Sequence, residues 1–593
     1  VLIDSLSKLE YRGYDSAGIA VFEKGEISVC KAKGELKNLT EKMKKEHKPY
    51  GHCGIGHTRW ATHGEPSDIN SHPHGNKRVS IVHNGIIENY KEIKDFLIDK
   101  GYTFVSETDT ETVAKLLDYY YEGDPIDAII KTLKDVTGAY ALGIIFKDFP
   151  DTIYAVRKDS PLIIGKGEEE NFIASDVPAI LKYTRNVYYI GNLEMARVRK
   201  GEITFFNLDG DEVEKQPKVI EWDAEAAEKG GYEHFMLKEI HDQPKAVRDT
   251  FGTHISEDGK TAIFDELNWT AGDVAAFNKI LIVACGTAYH AGLVTKQYIE
   301  NLARIPVSVE IASEYRYSNP LTDDKTLCIV ISQSGETSDT LAALKEAKRH
   351  GAKSLAITNV VGSSISREAD NTVYTWAGPE ISVASTKAYT TQLVAGLLFA
   401  VYLGQLNGKM DPAVGEEIIC GIKNLPTLIH EIFEVDEDMK AFAKHYGFKS
   451  DAFFLGRAID YAVAMEGALK LKEISYIHAE AYAGGELKHG TLALIEEGVP
   501  VIALATQEDV YDKMISNIRE VKAREAVVIG IGMEGDEELS KHVDHTIYVP
   551  RANKFIAPIL AVVPLQLLAY YAAITRGADV DKPRNLAKSV TVE

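Results

Sequence analysis

Apolar and polar positions follow two rhythms along this chain, and the change of rhythm divides it. From residue 1 to about 220, short apolar stretches recur at hairpin spacing. The run 19–29 predicts two strands joined by a tight turn at Lys24-Gly25. Runs 79–83, 140–146, 153–156, 162–164 and 172–174 predict further strands, and helical periodicity at 88–100 and 108–120 predicts helices covering an antiparallel sheet. From about 278, short apolar strands (279–284, 307–311, 327–331, 354–358) alternate with long helices, the signature of a doubly wound parallel sheet. The rhythm restarts near 452, with strands at 452–455, 499–504, 525–530 and 546–549. Two units of similar size imply an architectural duplication.

The domain reading is 1–222, an acidic linker 223–255 with paired glycines at 230 and 231, parallel-sheet domains 256–430 and 431–580, and an irregular tail 581–593. The fold class is therefore α/β multidomain. At 593 residues, about three to four domains are expected.

Charge narrows the partners. Lys plus Arg is 66 and Asp plus Glu is 88, a net charge of −22 that argues against nucleic acid. Five cysteines, at 30, 53, 285, 328 and 420, show no CxxC pair, which points to a reducing, cytoplasmic setting. No signal peptide is expected. The uncharged stretch 555–575 contains Pro558, Pro564 and Gln566 and reads as a buried core helix; no second such stretch is expected, and no membrane partner.

Candidate chemistry concentrates in a few places. Ser332-Gln333-Ser334-Gly335-Glu336-Thr337 follows an apolar strand and opens a helix, so hydroxyls and helix N–H groups converge as a phosphate would need. No Gly-Lys-Ser/Thr follows, so it is not a Walker loop, and an ordinary N-cap is the alternative. Residues 56–64 gather two His, an Arg and a Trp; His83-Asn84-Gly85 follows a strand; 108–111 opens a helix. Arg and Asp suit an amino acid's carboxylate and ammonium, and Asn with a Gly N–H suits an oxyanion. The histidines at 52, 57, 63, 72 and 74 lack ligand spacing, so no metal is expected. Glu466, Lys470 and Glu473 share a helix face, either as a solvated ion-pair row or as rigid acid–base groups.

Several of these segments carry a resemblance. Residues 9–18, 57–64, 83–85 and 108–111 resemble the class II glutamine amidotransferase domain, with its Ntn-type αββα sandwich. Residues 332–337, 383–387 and the tail resemble the duplicated sugar-isomerase (SIS) module. Their order resembles the glucosamine-6-phosphate synthase family, the isomerizing glutamine–fructose-6-phosphate aminotransferases.

The resemblance implies roles. Arg59 would grip the glutamine carboxylate and Asp109 its ammonium, with Thr62 and His63 alongside. Asn84 and Gly85 would hold the oxyanion, Arg12 would order the site, and Trp60 would gate an ammonia channel. Thr287, Ser332, Gln333, Ser334 and Thr337 would hold the phosphate of fructose 6-phosphate, and Val383 and Ser385 the sugar hydroxyls. Ala288 stands where the family often has Ser. Glu473 would move a proton between C1 and C2 beside Lys470. His489, reaching a neighbouring subunit, would open the ring, so a homodimer is implied. Lys588 would form a Schiff base with the ketose. No cofactor is expected. The short linker leaves no room for the insertion of some eukaryotic relatives, implying a version without nucleotide-sugar feedback.

The resemblance departs at the start. The family's nucleophile is an N-terminal Cys whose own α-amine acts as base, whereas the chain reads Val1-Leu-Ile-Asp-Ser-Leu, and neither Cys30 nor Cys53 can carry a free α-amine. Residues preceding Val1 are therefore expected. An ammonia-dependent enzyme with an inactive glutaminase domain and a non-catalytic sugar-phosphate sensor are the alternative readings.

Overall fold

The computed structural model describes residues 1–10, 13–46, 48–60, 64–220, 229–447 and 449–590.

 Two compact units emerge, residues 1–227 with 589–593, and residues 228–588.

In the first unit, alternation places opposite faces of one sheet in two cores. The seven-stranded sheet runs, edge to edge, Glu212–Val213, Glu202–Phe206, Met195–Arg199, Ile153–Lys158, Gly138–Phe146, Val79–Ile87 and His74–Gly75, with every pairing antiparallel. Val79, Ile81 and Ile87 pack under helices Tyr90–Asp99, Asp109–Tyr120 and Pro125–Asp135, while Val82 turns to Ala20, Phe22 and Ile55 on the other side. Those residues belong to a three-stranded sheet, Glu26–Lys33, Ser16–Glu23 and Gly54–Arg59, whose outer face is covered by helices Leu2–Ser7 and Leu36–Lys45. Helix, sheet, sheet, helix is the αββα sandwich. A four-stranded sheet, Lys218–Val219, Asn186–Tyr189, Ile163–Lys166 and Asn171–Ala174, completes the unit. The hairpin turns at Lys24 (φ 52°) and Gly25 (φ 81°), both left-handed as a type I′ turn requires.

The second unit holds two five-stranded parallel sheets of the same order. The first is Val307–Ile311, Lys279–Ala284, Thr326–Ser332, Lys353–Thr358 and Asn371–Tyr374; the second is His478–Ala483, Asp451–Gly456, Pro500–Leu504, Val527–Met533 and His545–Val549. The order 2-1-3-4-5 appears twice, so the duplication is one of topology. The central strands are continuously apolar because helices bury both faces.

Three expectations change. His83, Asn84 and Gly85 do not follow their strand; they lie within it, because Val79–Ile87 continues to pair with Gly138–Phe146. Residues 235–251, inside the expected linker, form helices Phe235–His241 and Gln243–Phe251, which bury Met236, Ile240 and Val247 in the core of the second unit. Among the described residues two helices, not one, are long and apolar enough to cross a membrane, Lys387–Leu406 and Ala557–Thr575, and each has 89% of its apolar window buried inside the protein.

Candidate active site

The first parallel sheet reverses its strand order at Lys279–Ala284, which has Val307–Ile311 on one side and Thr326–Ser332 on the other. Open α/β sheets bind ligands beyond the carboxyl ends of the strands at this point. Here Cys285 leads into helix Gly286–Leu302, and the 332–337 loop leads into helix Ser338–Arg349. Gly335 N–H donates to Ser332 Oγ at 3.0 Å, Ser332 Oγ lies 3.0 Å from Thr337 Oγ1, and Glu336 N–H donates to Ser334 Oγ at 3.1 Å. Gln333 contributes its carbonyl to Asn359 N–H at 3.2 Å. Gly335 has φ 64°, and a Cβ there would come within 2.0 Å of Ser363 Oγ, so this turn closes only on glycine. The result is a hydroxyl-rich cradle at a helix N-terminus.

A row of charge reaches this corner from the second repeat. On helix Ile459–Ser475, Lys470 lies between Glu466 (3.5 Å) and Glu473 (2.6 Å). Glu466 also accepts from Thr287 Oγ1 at 3.0 Å and meets His290 Nδ1 at 2.8 Å. Burial opposes charge on Lys470, but the Glu473 and Glu466 carboxylates outweigh it and hold the ammonium above the ordinary lysine range. Glu466 and Lys470 are fully buried, so this face is not a solvated ion-pair row. Glu473 keeps 21% of its side chain exposed and is the member open to a ligand.

The tail is irregular but docked. Asp581 accepts the N–H groups of Phe235 and Met236, each at 2.9 Å, and its carbonyl accepts from Val383 N–H at 3.1 Å. The Arg584 guanidinium stacks 4.1 Å from the Tyr476 ring centre. Lys588, 3% exposed, donates to Ser385 Oγ at 3.1 Å and pairs with Glu380. Glu380 Oε1 accepts from Thr386 N–H (2.9 Å) and Ala388 N–H (3.0 Å). Burial pushes the Glu380 carboxyl up, but Lys588 and these N–H groups outweigh it and hold it below the ordinary range. Glu239 accepts from Ile381 N–H at 2.5 Å and Ser382 N–H at 3.2 Å; burial, then the Glu380 charge, push its carboxyl up to about 8.

In the first unit, a cavity of about 1360 Å³ is lined by Arg59, Trp60, Asn84, Gly85 and Asp109. Arg59 is buried and donates to Gly64 O at 3.0 Å; burial lowers its guanidinium while Asp15 and Asp109 pull the other way. Asp109 accepts from Ile87 N–H and Thr110 N–H, each at 2.9 Å. Asn84 Oδ1 lies 2.7 Å from His57 Nε2, which leaves its amide N–H groups for another acceptor. Gly85 has φ 136°, and a Cβ there would meet Ala139 O at 2.0 Å. Desolvation lowers His57 to about 4, and His72 and His74 well below the usual imidazole range. Burial raises the Cys53 thiol to about 12 and the Cys30 thiol above its usual range, so neither is an activated nucleophile.

Both halves match known domains: residues 57–182 the glutamine amidotransferase domain, and residues 275–402 and 449–576 each the SIS domain. Over its full length the chain is 58% identical to the glutamine–fructose-6-phosphate aminotransferase (isomerizing) of Caldanaerobacter subterraneus subsp. tengcongensis, covering 98% of that protein. It belongs to the isomerizing glutamine–fructose-6-phosphate aminotransferase family. The Thermus thermophilus relative of the same name is 49% identical, with 100% of this chain and 98% of that protein covered. The solved C-terminal domain of glucosamine-fructose-6-phosphate aminotransferase from Francisella tularensis is 41% identical, with a TM-score of 0.57, and covers 60% of this chain and 100% of that one.

The candidate residues fall into groups. Thr287 joins Glu466, Lys470 and Glu473; Ser332, Ser334 and Thr337 form the cradle; Ser385 and Lys588 meet. His489 is exposed on the 3-10 turn Glu486–His489, with no hydrogen bond to these groups among the described residues. Arg12, Thr62 and His63 lie outside the described residues. Sequence reasoning missed Glu239, Glu380 and His290. The only signal for Glu380 was a carboxylate three residues before Val383, in a segment already singled out.

In the second repeat the equivalent corner is closed. Ala458 (φ 50°) repeats the left-handed turn of Gly286 (φ 53°), but buried Asp460 fills the corner, accepting from Thr506 N–H at 2.8 Å and Thr506 Oγ1 at 2.6 Å. Burial pushes its carboxyl up to about 6.

Proposed function

We infer that this chain transfers the amide nitrogen of L-glutamine to D-fructose 6-phosphate and isomerises the product to D-glucosamine 6-phosphate, releasing L-glutamate. The observation that carries the reading is Lys588, buried on a tail with no regular structure and held against Ser385. A sensor has no use for a sequestered amine there; a Schiff-base enzyme does.

Thr287 and the 332–337 loop take the phosphate, and Val383 and Ser385 the sugar hydroxyls. His489, contributed by the other subunit of a homodimer, opens the ring; its exposure on this subunit supports that assignment. Lys588 forms the imine, and Glu473, rigid on its helix and steadied by Lys470, carries the proton between C1 and C2. In the first unit, Arg59 and Asp109 hold glutamine, Asn84 and Gly85 hold the oxyanion, and Trp60 gates ammonia transfer. Arg12, Thr62 and His63 are assigned on sequence alone. All five cysteines are free, which supports a cytoplasmic setting.

The test is a paired assay for glucosamine 6-phosphate from fructose 6-phosphate, once with glutamine and once with ammonium. Product in both arms supports the reading. Product with ammonium alone favours the ammonia-dependent alternative. Product in neither overturns the synthase reading.

A further inference from the structure

Lys588 as a Schiff-base nucleophile poses a problem of proton traffic. The amine attacks only when neutral, yet it is buried against a carboxylate. Bulk water has little access to a side chain that is 3% exposed, so the proton needs a local acceptor. Glu380 Oε2 is bonded directly to Lys588 Nζ, while Glu380 Oε1 is fixed by two backbone N–H groups. One oxygen is anchored and the other faces the amine. Beside it, Glu239 uses one oxygen on Ile381 and Ser382 N–H, and its second oxygen is buried with no hydrogen-bond partner among the described residues. An orphaned carboxyl oxygen in this position is costly unless the group carries a proton. The charged groups acting on this pair are Lys588, Lys387, itself paired with Asp242, and Lys470.

We propose that Glu380 is the proton acceptor and donor for Lys588 in imine formation, and that Glu239 is the positioning residue that holds the 380–385 segment and keeps a second negative charge away from the pair. The proposal rests on the Schiff-base reading above and deepens it. Glu380 Oε2 takes one proton from the Lys588 ammonium. The freed electron pair on Nζ attacks the C2 carbonyl carbon of the open-chain ketose, and a proton passes from nitrogen to the C2 oxygen. Glu380 then returns its proton to that hydroxyl, which leaves as water, and the C2–Nζ iminium forms. One positive charge enters as ammonium and one remains as iminium. Glu239 stays protonated at neutral pH; its ionisation above about pH 8 would place a charge that holds the proton on Lys588 and Glu380.

The experiment traps the imine with borohydride in the presence of fructose 6-phosphate and follows modification of Lys588 by mass spectrometry from pH 6 to 9.5. In the unaltered protein, labelling is expected to slow above about pH 8. Glu380→Gln is expected to cut the trapping rate by on the order of 10² or more, the range for a positioned acid–base group, with fructose 6-phosphate affinity within a few-fold and a rate that climbs with pH as the amine ionises unaided. Glu239→Gln is expected to lose the slowing above pH 8. Equal trapping rates and pH profiles for Glu380→Gln and the unaltered protein overturn the proposal. No labelling of Lys588 in the unaltered protein overturns the Schiff-base reading itself. If Glu380→Gln does not fold, Glu380→Asp, which keeps the acid but shortens its reach, is expected to retain the profile at a lower rate; a profile without the high-pH slowing counts against the proposal.

Discussion

Thr287 donates its hydroxyl to Glu466 at 3.0 Å, although the two residues stand in different repeats. The carboxylate row of the second repeat is thereby tied to the strand-end corner of the first. Glu466→Gln leaves buried Lys470 with one carboxylate in place of two. Breaking a buried pair this way costs about 3 kcal/mol, so a lower denaturation midpoint is expected together with loss of activity, measured by chemical denaturation and product assay.

Gly335→Ala meets both a left-handed φ and Ser363. Strain of about 1–3 kcal/mol falls on the 332–337 cradle, the proposed phosphate seat. Calorimetry should show fructose 6-phosphate affinity weakened by roughly tenfold, equivalent to about 1.4 kcal/mol, with the first unit unaffected.

Lys588→Arg keeps the charge that pairs with Glu380 but cannot form an imine. The fold and sugar-phosphate binding should persist, while product formation falls by on the order of 10³ or more. Retained turnover would remove Lys588 from the chemistry.

If His489 serves the neighbouring subunit, two dead variants should rescue each other. A mixture of His489→Asn and Lys588→Arg chains, refolded together, forms hybrid dimers with one intact site. Random pairing restores about a quarter of full activity; no restoration would place His489 in its own subunit's site.

His57 is lowered to about 4 from an ordinary 6.5. Between those values the unfolded chain takes up a proton that the folded chain refuses, so stability is full above pH 6.5 and declines as pH falls towards 4. His57→Gln should flatten that decline by roughly 2 kcal/mol, read from hydrogen-exchange protection of strand Val79–Ile87 at pH 7 and pH 5.

Both parallel sheets were legible because central strands are continuous apolar runs. The strands not foreseen, Asn371–Tyr374 and His478–Ala483, are edges, where one side is unpaired and polar residues are tolerated. Asn84 and Gly85 read as lying beyond the strand that ends at His83; they stay in it because Val79–Ile87 goes on pairing with Gly138–Phe146. The helices at 235–251 were hidden by an acidic preface and their short lengths. The sugar-side candidates were legible as a resemblance, but Glu380 was not, because its importance depends on a lysine 208 residues away. Side-chain pairing at that separation leaves no periodicity to read.

The two corners marked by Gly286 and Ala458 show what became of a duplicated architecture. One copy turns at Gly286 beside a hydroxyl-rich loop, and the other has stoppered its corner with an aspartate and lends its first helix to the neighbour. Doubling the sheet has therefore produced two corners of different chemistry in place of two equivalent ones.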